Sequence, residues 1–245
     1  MQHASPRFVM LQGIPGAGKS SLAADLAAAL IDRGATVDLI PEEDIFTRRE
    51  FVDVGRGFTT RAWPTAVVML AAYSRVLRTA RLQHRWVIAD WNCVGMIEDL
   101  PWAQPDRATL TTFHPEARAD MDVLTAHARD VRSLAADLCP ILLHLNVPSR
   151  VAVLRAAAER GQAWIERSAT PVHELTPGEP RIDRIVRGNE RDRPRQRDIS
   201  AAYTQAGWDV AEIDANCART EVLHQAMQIL LAGAGPIDHP CADYR

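Results

Sequence analysis

Cysteine is scarce in this chain, and its few occurrences are far apart. The 245 residues contain four cysteines, Cys93, Cys139, Cys217 and Cys241, with no CxxC pair among them. This spacing favours neither a disulfide framework nor a cysteine zinc site, but fits reduced thiols in the cytoplasm. No apolar run approaches the roughly 18–20 residues that cross a bilayer, and residues 1–7 lack the apolar stretch of a signal peptide. We therefore expect a cytoplasmic protein with no membrane partner.

The sequence also lacks a large excess of charge of either sign. The formal net charge is −3, which provides no general positive field to hold a nucleic acid polymer. The eight histidines show no HExxH spacing, so a zinc-protease type of metal centre is not indicated either. Apolar residues make up 47% of the chain and charged residues 24%, as in ordinary globular proteins. We therefore do not expect a polynucleotide partner, and a local basic site for one phosphorylated ligand stays open.

Short apolar segments alternate with helical segments along the chain. This order predicts an α/β fold with a five-stranded parallel sheet and helices on both faces. The strands are expected at 7–12, 35–40, 86–90, 141–147 and 208–214. The helices are expected at 18–33, 64–83, 115–137, 149–160, 194–206 and 218–232. We expect one domain over residues 1–232 and a loose tail over 233–245.

Three connecting segments are too long to be simple turns. Residues 41–60 and 91–112 follow the second and third strands, and residues 162–193 are polar and rich in arginine and proline. Loops of this length in compact domains are usually functional. The carboxyl ends of parallel strands meet at one edge of the sheet, where ligands of such folds bind. We therefore expect these loops to border one crevice, with 162–193 as an arginine-rich lid.

The most specific motif is a glycine-rich turn between the first strand and the first helix. Gly13-Ile-Pro-Gly-Ala-Gly-Lys-Ser20 fits GxxxxGK[ST] in full. Its glycines let backbone N–H groups surround a phosphate, the lysine reaches the β- and γ-phosphates, and the serine hydroxyl binds Mg²⁺. The motif predicts binding of ATP and Mg²⁺. The expected contact residues are Gly13, Pro15, Gly16, Ala17, Gly18, Lys19, Ser20 and Ser21.

Together with the order of the elements, this motif makes residues 7–231 resemble the P-loop nucleoside and nucleotide kinases, with thymidylate and deoxynucleoside kinases most similar. The segment 144–161 is similar to the strand, proline and arginine-rich helix that precede the lid in those kinases. Asp214-Ala215-Asn216 falls where the family places its loop against the adenine base. The resemblance implies a P-loop NTPase fold and ATP-dependent phosphoryl transfer. It also raises pairing into a homodimer, because many such kinases associate through their helices.

Acidic residues follow the second and third strands directly. Asp90 stands at the Walker B position, where a carboxylate holds Mg²⁺ or accepts the proton of a substrate hydroxyl. In the resembling kinases an acidic residue after the second strand faces the acceptor, which here gives Glu42, Glu43 and Asp44. We rank Asp44 and Glu43 ahead of Glu42. The sequence leaves open whether Asp90 or this cluster supplies the base.

Arginines in the helix that follows the fourth strand, and in the lid, are candidates for stabilising the negative charge on the phosphoryl group during its transfer. Arg155 and Arg160 are the first candidates, followed by Arg167. The alternative for the longer basic run between 184 and 197 is a solvated charged surface.

Aromatic and basic residues near the two long loops are candidates for binding the acceptor. Trp91 follows Asp90 and is the preferred contact, because indole rings stack on planar or sugar-like ligands. Trp63 and Trp102 are further candidates, with core packing as the alternative. Arg48, Arg49 and Arg61 would suit an anionic acceptor.

The departures from the family pattern concern the acceptor. Asp90-Trp91-Asn92 stands where thymidylate kinases have Asp-Arg and deoxynucleoside kinases have Glu-Arg-Ser, so the arginine is missing. We predict a phosphotransferase with a nucleoside- or nucleotide-like acceptor ranked first. A kinase for a specialised metabolite or an antibiotic is the second option, and a regulatory P-loop ATPase or a binding module without turnover remains an alternative. A GTPase is disfavoured because the chain has no NKxD motif.

Overall fold

The computed structural model describes residues 6–55, 66–91, 121–169 and 178–232. Trp63, Trp102 and Arg61 lie outside the described residues, as do nearly all of the segment 91–112 and the tail 233–245. The side chain of Arg167 is likewise outside them.

The described strands form one parallel sheet. They are β1 (Phe8–Gln12), β2 (Val37–Ile40), β3 (Trp86–Ala89), β4 (Ile141–Asn146) and β5 (Asp209–Asp214). Their order across the sheet is β2-β3-β1-β4-β5, with every pair parallel. β1 is buried along its whole length, because it is central and covered on both faces. The predicted α/β fold with a five-stranded parallel sheet is confirmed.

Helices cover both faces of this sheet. They are α1 (Lys19–Ile31), α2 (Asp44–Thr47), α3 (Ala66–Leu82), α4 (Met121–Leu134), α5 (Ser149–Ala169), α6 (Arg181–Gln205) and α7 (Arg219–Ala232). The apolar sides of α1 and α7 pack with Val9, Leu11 and Leu143 on one face. Those of α3, α4 and the second half of α6 pack with Phe8, Met10 and Leu142 on the other. Alternate residues of each strand thus feed two separate cores.

The described parts of the region 162–193, residues 162–169 and 178–193, are more helical than the sequence predicts. Helix α5 does break at Gly161 as expected, with φ 71°, but a further helical stretch continues to Ala169. Helix α6 begins at Arg181 and not at 194, so Pro194 lies inside it. The early part of α6 is helical because its apolar side chains have a partner: Ile185 packs with Val153 and Trp164 of α5 in a small separate cluster. Proline removes one backbone hydrogen bond, which this packing offsets.

The segment after β2 is also more ordered than a plain loop. It contains α2 and a short 3-10 helix, Arg49–Phe51, whose Phe51 is fully buried in the core. This places the acidic residues 42–44 at the start of a helical turn close to the carboxyl end of β3. In the part of the chain that the structure describes, no helix is both long and apolar enough to cross a bilayer.

Candidate functional site

The glycine-rich turn connects β1 to α1 as its motif predicts. The Ala17 N–H donates to the Ile14 carbonyl at 3.0 Å, closing the turn. Gly18 caps α1 in the left-handed region, with φ 93°. Apart from its chain neighbours and nearby helix backbone, no described atom lies within 4 Å of where a Cβ on Gly18 would be. Free N–H groups at a helix start attract an anion, and the turn has the form of a phosphate cradle.

Lys19 lies folded back over this turn. Its Nζ donates to the carbonyl oxygens of Gly13, at 2.9 Å, and Ile14, at 3.4 Å. Burial lowers the pKa of Lys19; the Glu42 and Asp90 carboxylates oppose this shift, and Arg160 adds to it. Those three groups therefore lie close enough to Lys19 to interact with its charge. The ammonium group is held at the cradle by carbonyl oxygens that a phosphate oxygen can replace.

Asp90 lies beside the first turn of α1. It extends β3 by one residue, because its N–H donates to the Ile40 carbonyl at 3.2 Å. Its side chain is only 3% exposed, bonds the Ser20 hydroxyl, and leaves Oδ1 without a partner among the described residues. Burial is the largest cause that raises the pKa of Asp90, and Glu42 and Glu43 raise it further. The structure thus brings together the two residues expected at a metal site.

The acidic residues after β2 divide into two groups. Glu42 interacts with both Lys19 and Asp90, and Glu43 with Asp90. Asp44 instead faces Arg48, at 3.5 Å. Glu42 thus acts on both Lys19 and Asp90, whereas Asp44 pairs with Arg48, and the ranking of the three carboxylates stays a prediction. Strand register carries this information, because Ile40 pairs with Ala89 and so sets residues 42 and 90 near each other.

Arg48 is held by carboxylates and not directed at an open site. It donates to both Asp38 oxygens, at 2.9 and 2.7 Å, and its Nε bonds Glu50 at 3.3 Å. These partners hold the pKa of Arg48 above its ordinary value. With Asp44, three carboxylates surround one guanidinium, and its five N–H donors are largely committed. The predicted role in binding an acceptor stays a prediction, and the contacts indicate that Arg48 fixes α2 to β2.

Trp91 is packed into the core and not displayed at the surface. It is 5% exposed and lies between Phe51 and Tyr73, each with a ring centroid 5.7 Å away. Its Nε1 has no hydrogen-bond partner among the described residues, whereas the indole N–H of Trp208 donates to the Ala128 carbonyl at 2.8 Å. Buried Trp N–H groups normally find a partner, so the Trp91 donor is an exception that a ligand atom would satisfy.

Arg155 points towards the loop after β5. Its Nη1 donates to the Ala215 carbonyl at 2.6 Å, and the Ala215 N–H bonds the Asn146 carbonyl at 2.8 Å. Arg155 and Ala215 were expected at different parts of the nucleotide, and the structure brings them together at the carboxyl edge. Arg160, one turn further along α5, instead influences the charge of Lys19.

Helix α6 approaches the carboxyl edge of the sheet from the face opposite to α1. The sequence did not predict this approach. The Gln12 amide donates to the Gln196 carbonyl at 2.6 Å, and Arg193 bonds the Val147 carbonyl and, at 3.1 Å, the Ser149 hydroxyl. A polar pocket lined by His144, Asn146 and Glu212 opens beside Ile14 of the glycine-rich turn. The basic run around Pro194 is the sequence feature that indicated polar contacts here. Which atoms its side chains contact depends on tertiary packing.

Comparisons with known proteins do not assign the chain to a family. No protein-family model matches it, and no curated protein does. Among solved structures, it is similar to a deoxyadenosine kinase from M. mycoides that has the product dCMP and a flexible dCDP bound. The sequence identity is 17%, the TM-score is 0.43, and the similarity covers 92% of this chain and 99% of that one. The fold assignment rests on the strand order and the glycine-rich turn described above.

Proposed function

We propose that this protein is an ATP-dependent phosphotransferase that moves the γ-phosphate of ATP to a hydroxyl group of a small molecule. The proposal rests on one observation: Lys19, Ser20 and the buried Asp90 lie together at one end of the glycine-rich turn. A cation, a hydroxyl and a carboxylate at this spacing are the parts that bind and activate a nucleoside triphosphate.

The residues present fit a magnesium ion. The orphaned Asp90 Oδ1 and the Ser20 hydroxyl are hard oxygen donors, the kind that Mg²⁺ prefers. No group of three His, Cys, Asp or Glu side chains that could hold a metal occurs among the described residues. Two protein oxygens suffice for Mg²⁺ bound with nucleotide, since it keeps waters and phosphate oxygens as its other ligands. When bound, the ion would neutralise charge on the phosphates.

We assign the binding of ATP, the phosphate donor, to the glycine-rich turn and to α5. Backbone N–H groups from Gly16 to Ser20 would hold the β-phosphate, with Pro15, Ala17 and Ser21 shaping the turn. Lys19 would exchange its two carbonyl partners for phosphate oxygens. Arg155, which binds the Ala215 carbonyl, would lie against the base, and Arg160 would add positive charge near the γ-phosphate.

The acceptor half is assigned to the ends of β2 and β3. We assign the general base to Glu42, since it interacts with both Lys19 and Asp90, and leave Asp90 with the metal. A positioned carboxylate that takes the hydroxyl proton contributes typically about 10²- to 10⁴-fold in rate. Trp91 would offer its unpartnered N–H to the acceptor. The segments 56–65 and 92–120, which include Trp63, lie outside the described residues.

A regulatory ATPase or a binding module would use the same turn without an acceptor. Rates of ADP release from MgATP, measured with and without a library of hydroxyl compounds, separate these functions. A phosphotransferase releases ADP faster when its acceptor is added, and the acceptor gains the mass of one phosphoryl group. ADP release that no compound accelerates would favour the ATPase, and binding of ATP without ADP release would favour the module. A nucleoside-like acceptor is favoured by the resemblance, and a specialised metabolite by Trp91.

A further inference from the structure

One arginine of α6 holds the turn that joins β4 to α5, residues 146–149. Arg193 donates through Nη2 to the Val147 carbonyl and through Nε to the Ser149 hydroxyl, at 3.1 Å. Its Nη1 donates to the side-chain oxygen of Asn146 at 3.3 Å, and its Nε also bonds Glu190 of α6 at 3.2 Å. Val147 and Ser149 are buried. One planar guanidinium thus serves three residues of the turn at once, which its fixed fork of donors allows.

The turn 146–149 contacts the proposed nucleotide site on two sides. Ser149 begins α5, and three residues later the Ala152 carbonyl lies 2.1 Å from the position of a Cβ on Gly16 in the glycine-rich turn. On the other side, the Asn146 carbonyl accepts a hydrogen bond from the Ala215 N–H at 2.8 Å. The turn therefore lies between the phosphate cradle and the loop after β5, to which we assign the base.

A second contact of α6 reaches the residue that precedes the glycine-rich turn. Gln196 lies one helical turn after Arg193, and its carbonyl accepts a hydrogen bond from the Gln12 side-chain amide at 2.6 Å. Gln12 is buried and directly precedes Gly13, the first residue of the motif. Helix α6 thus holds the end of β1 and the start of α5, the two elements that flank the cradle.

Loss of the Arg193 bonds would change the cradle as well as the turn. Each of the three guanidinium nitrogens donates to an oxygen of the protein. Without the guanidinium, the carbonyl of the buried Val147 loses this donor, and leaving a buried acceptor unsatisfied is costly unless the turn shifts to reach another donor. The close contact of Ala152 with Gly16 transmits such a shift to the cradle, because closely packed elements move together.

We propose that Arg193 is a positioning residue for ATP: through the turn 146–149 it keeps the glycine-rich turn and the loop after β5 in the arrangement that binds the nucleotide, and it does not contact the nucleotide itself. This inference rests on the proposed function, because it requires ATP to bind at the glycine-rich turn. ADP uses the same cradle and the same base loop. The affinities for ATP and ADP therefore depend on Arg193 to the same extent.

The test measures the Kd values of ADP and of a non-hydrolysable ATP analogue, both with Mg²⁺, by titration calorimetry. Arg193→Ala should raise both Kd values about 10-fold, the scale of changes that act on a site without touching its ligand. Arg193→Lys keeps the charge and most of the aliphatic stem but lacks the planar fork, so it should raise both Kd values by at least about 3-fold. Circular dichroism establishes that each variant is folded, and if Arg193→Ala is not, Arg193→Lys provides the test.

Arg132→Ala is the matched control. It removes a comparable bond, from Arg132 Nε to the Gly207 carbonyl at 2.6 Å, between α4 and the segment that follows α6. Gly207 precedes β5 and so lies at the amino edge of the sheet, opposite to the glycine-rich turn. Both Kd values should stay within about 2-fold of those of the wild type, as for independent sites.

Three outcomes overturn the assignment of Arg193. The first is unchanged Kd values in a folded Arg193 variant. The second is a rise confined to the ATP analogue, because a direct contact with the γ-phosphate weakens ATP and not ADP. The third is an equal rise in Arg132→Ala, which would show a general loosening of the packing around α6. If the wild-type protein binds neither nucleotide, the proposed function itself fails.

Discussion

The carbonyl oxygen of Ala152 lies 2.1 Å from the position that a Cβ on Gly16 would occupy. The glycine-rich turn is therefore in direct contact with the backbone of α5, with φ +83° at Gly16. Any side chain here must displace either the turn or the helix. Gly16, the fourth position of the motif, thus fixes the phosphate cradle against the helix that carries Arg155 and Arg160.

Gly16→Ala should lower the free energy of unfolding by about 2–4 kcal/mol, since it combines backbone strain with overpacking against a rigid carbonyl. Gly18→Ala is the matched control: φ is +93° there, but apart from chain neighbours and nearby helix backbone no described atom lies within 4 Å of the added Cβ. Its cost should be limited to the backbone, about 1–2 kcal/mol. Urea denaturation of both variants gives the comparison, and equal costs would show that Ala152 does not restrict the turn.

Arg155 and Arg160 should differ in the step they affect. Arg155→Ala should raise the Kd for ATP about 10-fold and leave kcat within a few-fold, because its bond to the Ala215 carbonyl places it at the base. Arg160→Ala should lower kcat about 10²-fold with little change in the Kd for ATP, because its charge acts near Lys19. The Kd for ATP and kcat, measured on both variants, test these roles. A lower kcat in Arg155→Ala together with a higher Kd for ATP in Arg160→Ala would show that the two roles are the other way round.

Glu42→Gln should lower kcat by about 10²- to 10⁴-fold if Glu42 is the base, with ATP affinity nearly unchanged. Asp44→Asn is its natural comparison, since Asp44 faces Arg48 and not the phosphate turn. That variant should keep kcat within a few-fold. Steady-state kinetics and nucleotide binding on both proteins test the ranking. Full activity in Glu42→Gln would transfer the role of base to Asp90 or Glu43.

His127 should make the fold sensitive to acid. It is 3% exposed on α4, both ring nitrogens are without partners in the described ranges, and burial lowers its pKa from 6.5 to about 4. The unfolded chain therefore binds the proton more tightly, so stability is complete above pH 6.5 and falls as pH drops towards 4. The full loss is about 3 kcal/mol. Urea midpoints from pH 8 to pH 4.5 check this: His127→Leu should flatten the curve, and an unchanged slope in that variant would assign the dependence elsewhere.

The sequence predicts the sheet well because the information is local. Each strand is a short apolar run, and the GxxxxGK[ST] spacing defines one turn between a strand and a helix. The positions of Lys19, Ser20 and Asp90 follow from that order alone, since parallel strands place the loops that follow them at one edge. For these three residues, a correct strand order is almost sufficient to predict where they lie.

The rest of the site depends on contacts between residues far apart in the chain. Arg155 turns towards Ala215, 60 residues away, because β5 lies beside β4. Arg48 is held by Asp38, which the sequence offers only as part of a strand. Trp91 is buried by Phe51 and Tyr73, neither of which a loop assignment brings near it. Helix α6 passes through Pro194 because Ile185 has apolar partners on α5. Composition signals the residue types, but packing sets their directions.

The fate of the γ-phosphoryl group tests the central claim most directly. The protein is incubated with Mg²⁺, ATP labelled in its γ-phosphoryl group, and a library of hydroxyl compounds, and the products are resolved by mass spectrometry. We expect one compound to gain a single labelled phosphoryl group in equal amount to the ADP formed, and folded Lys19→Ala to lose at least about 10²-fold of this transfer. Label found only as free phosphate, or undiminished transfer by folded Lys19→Ala, would contradict the assignment of this chain as a phosphotransferase.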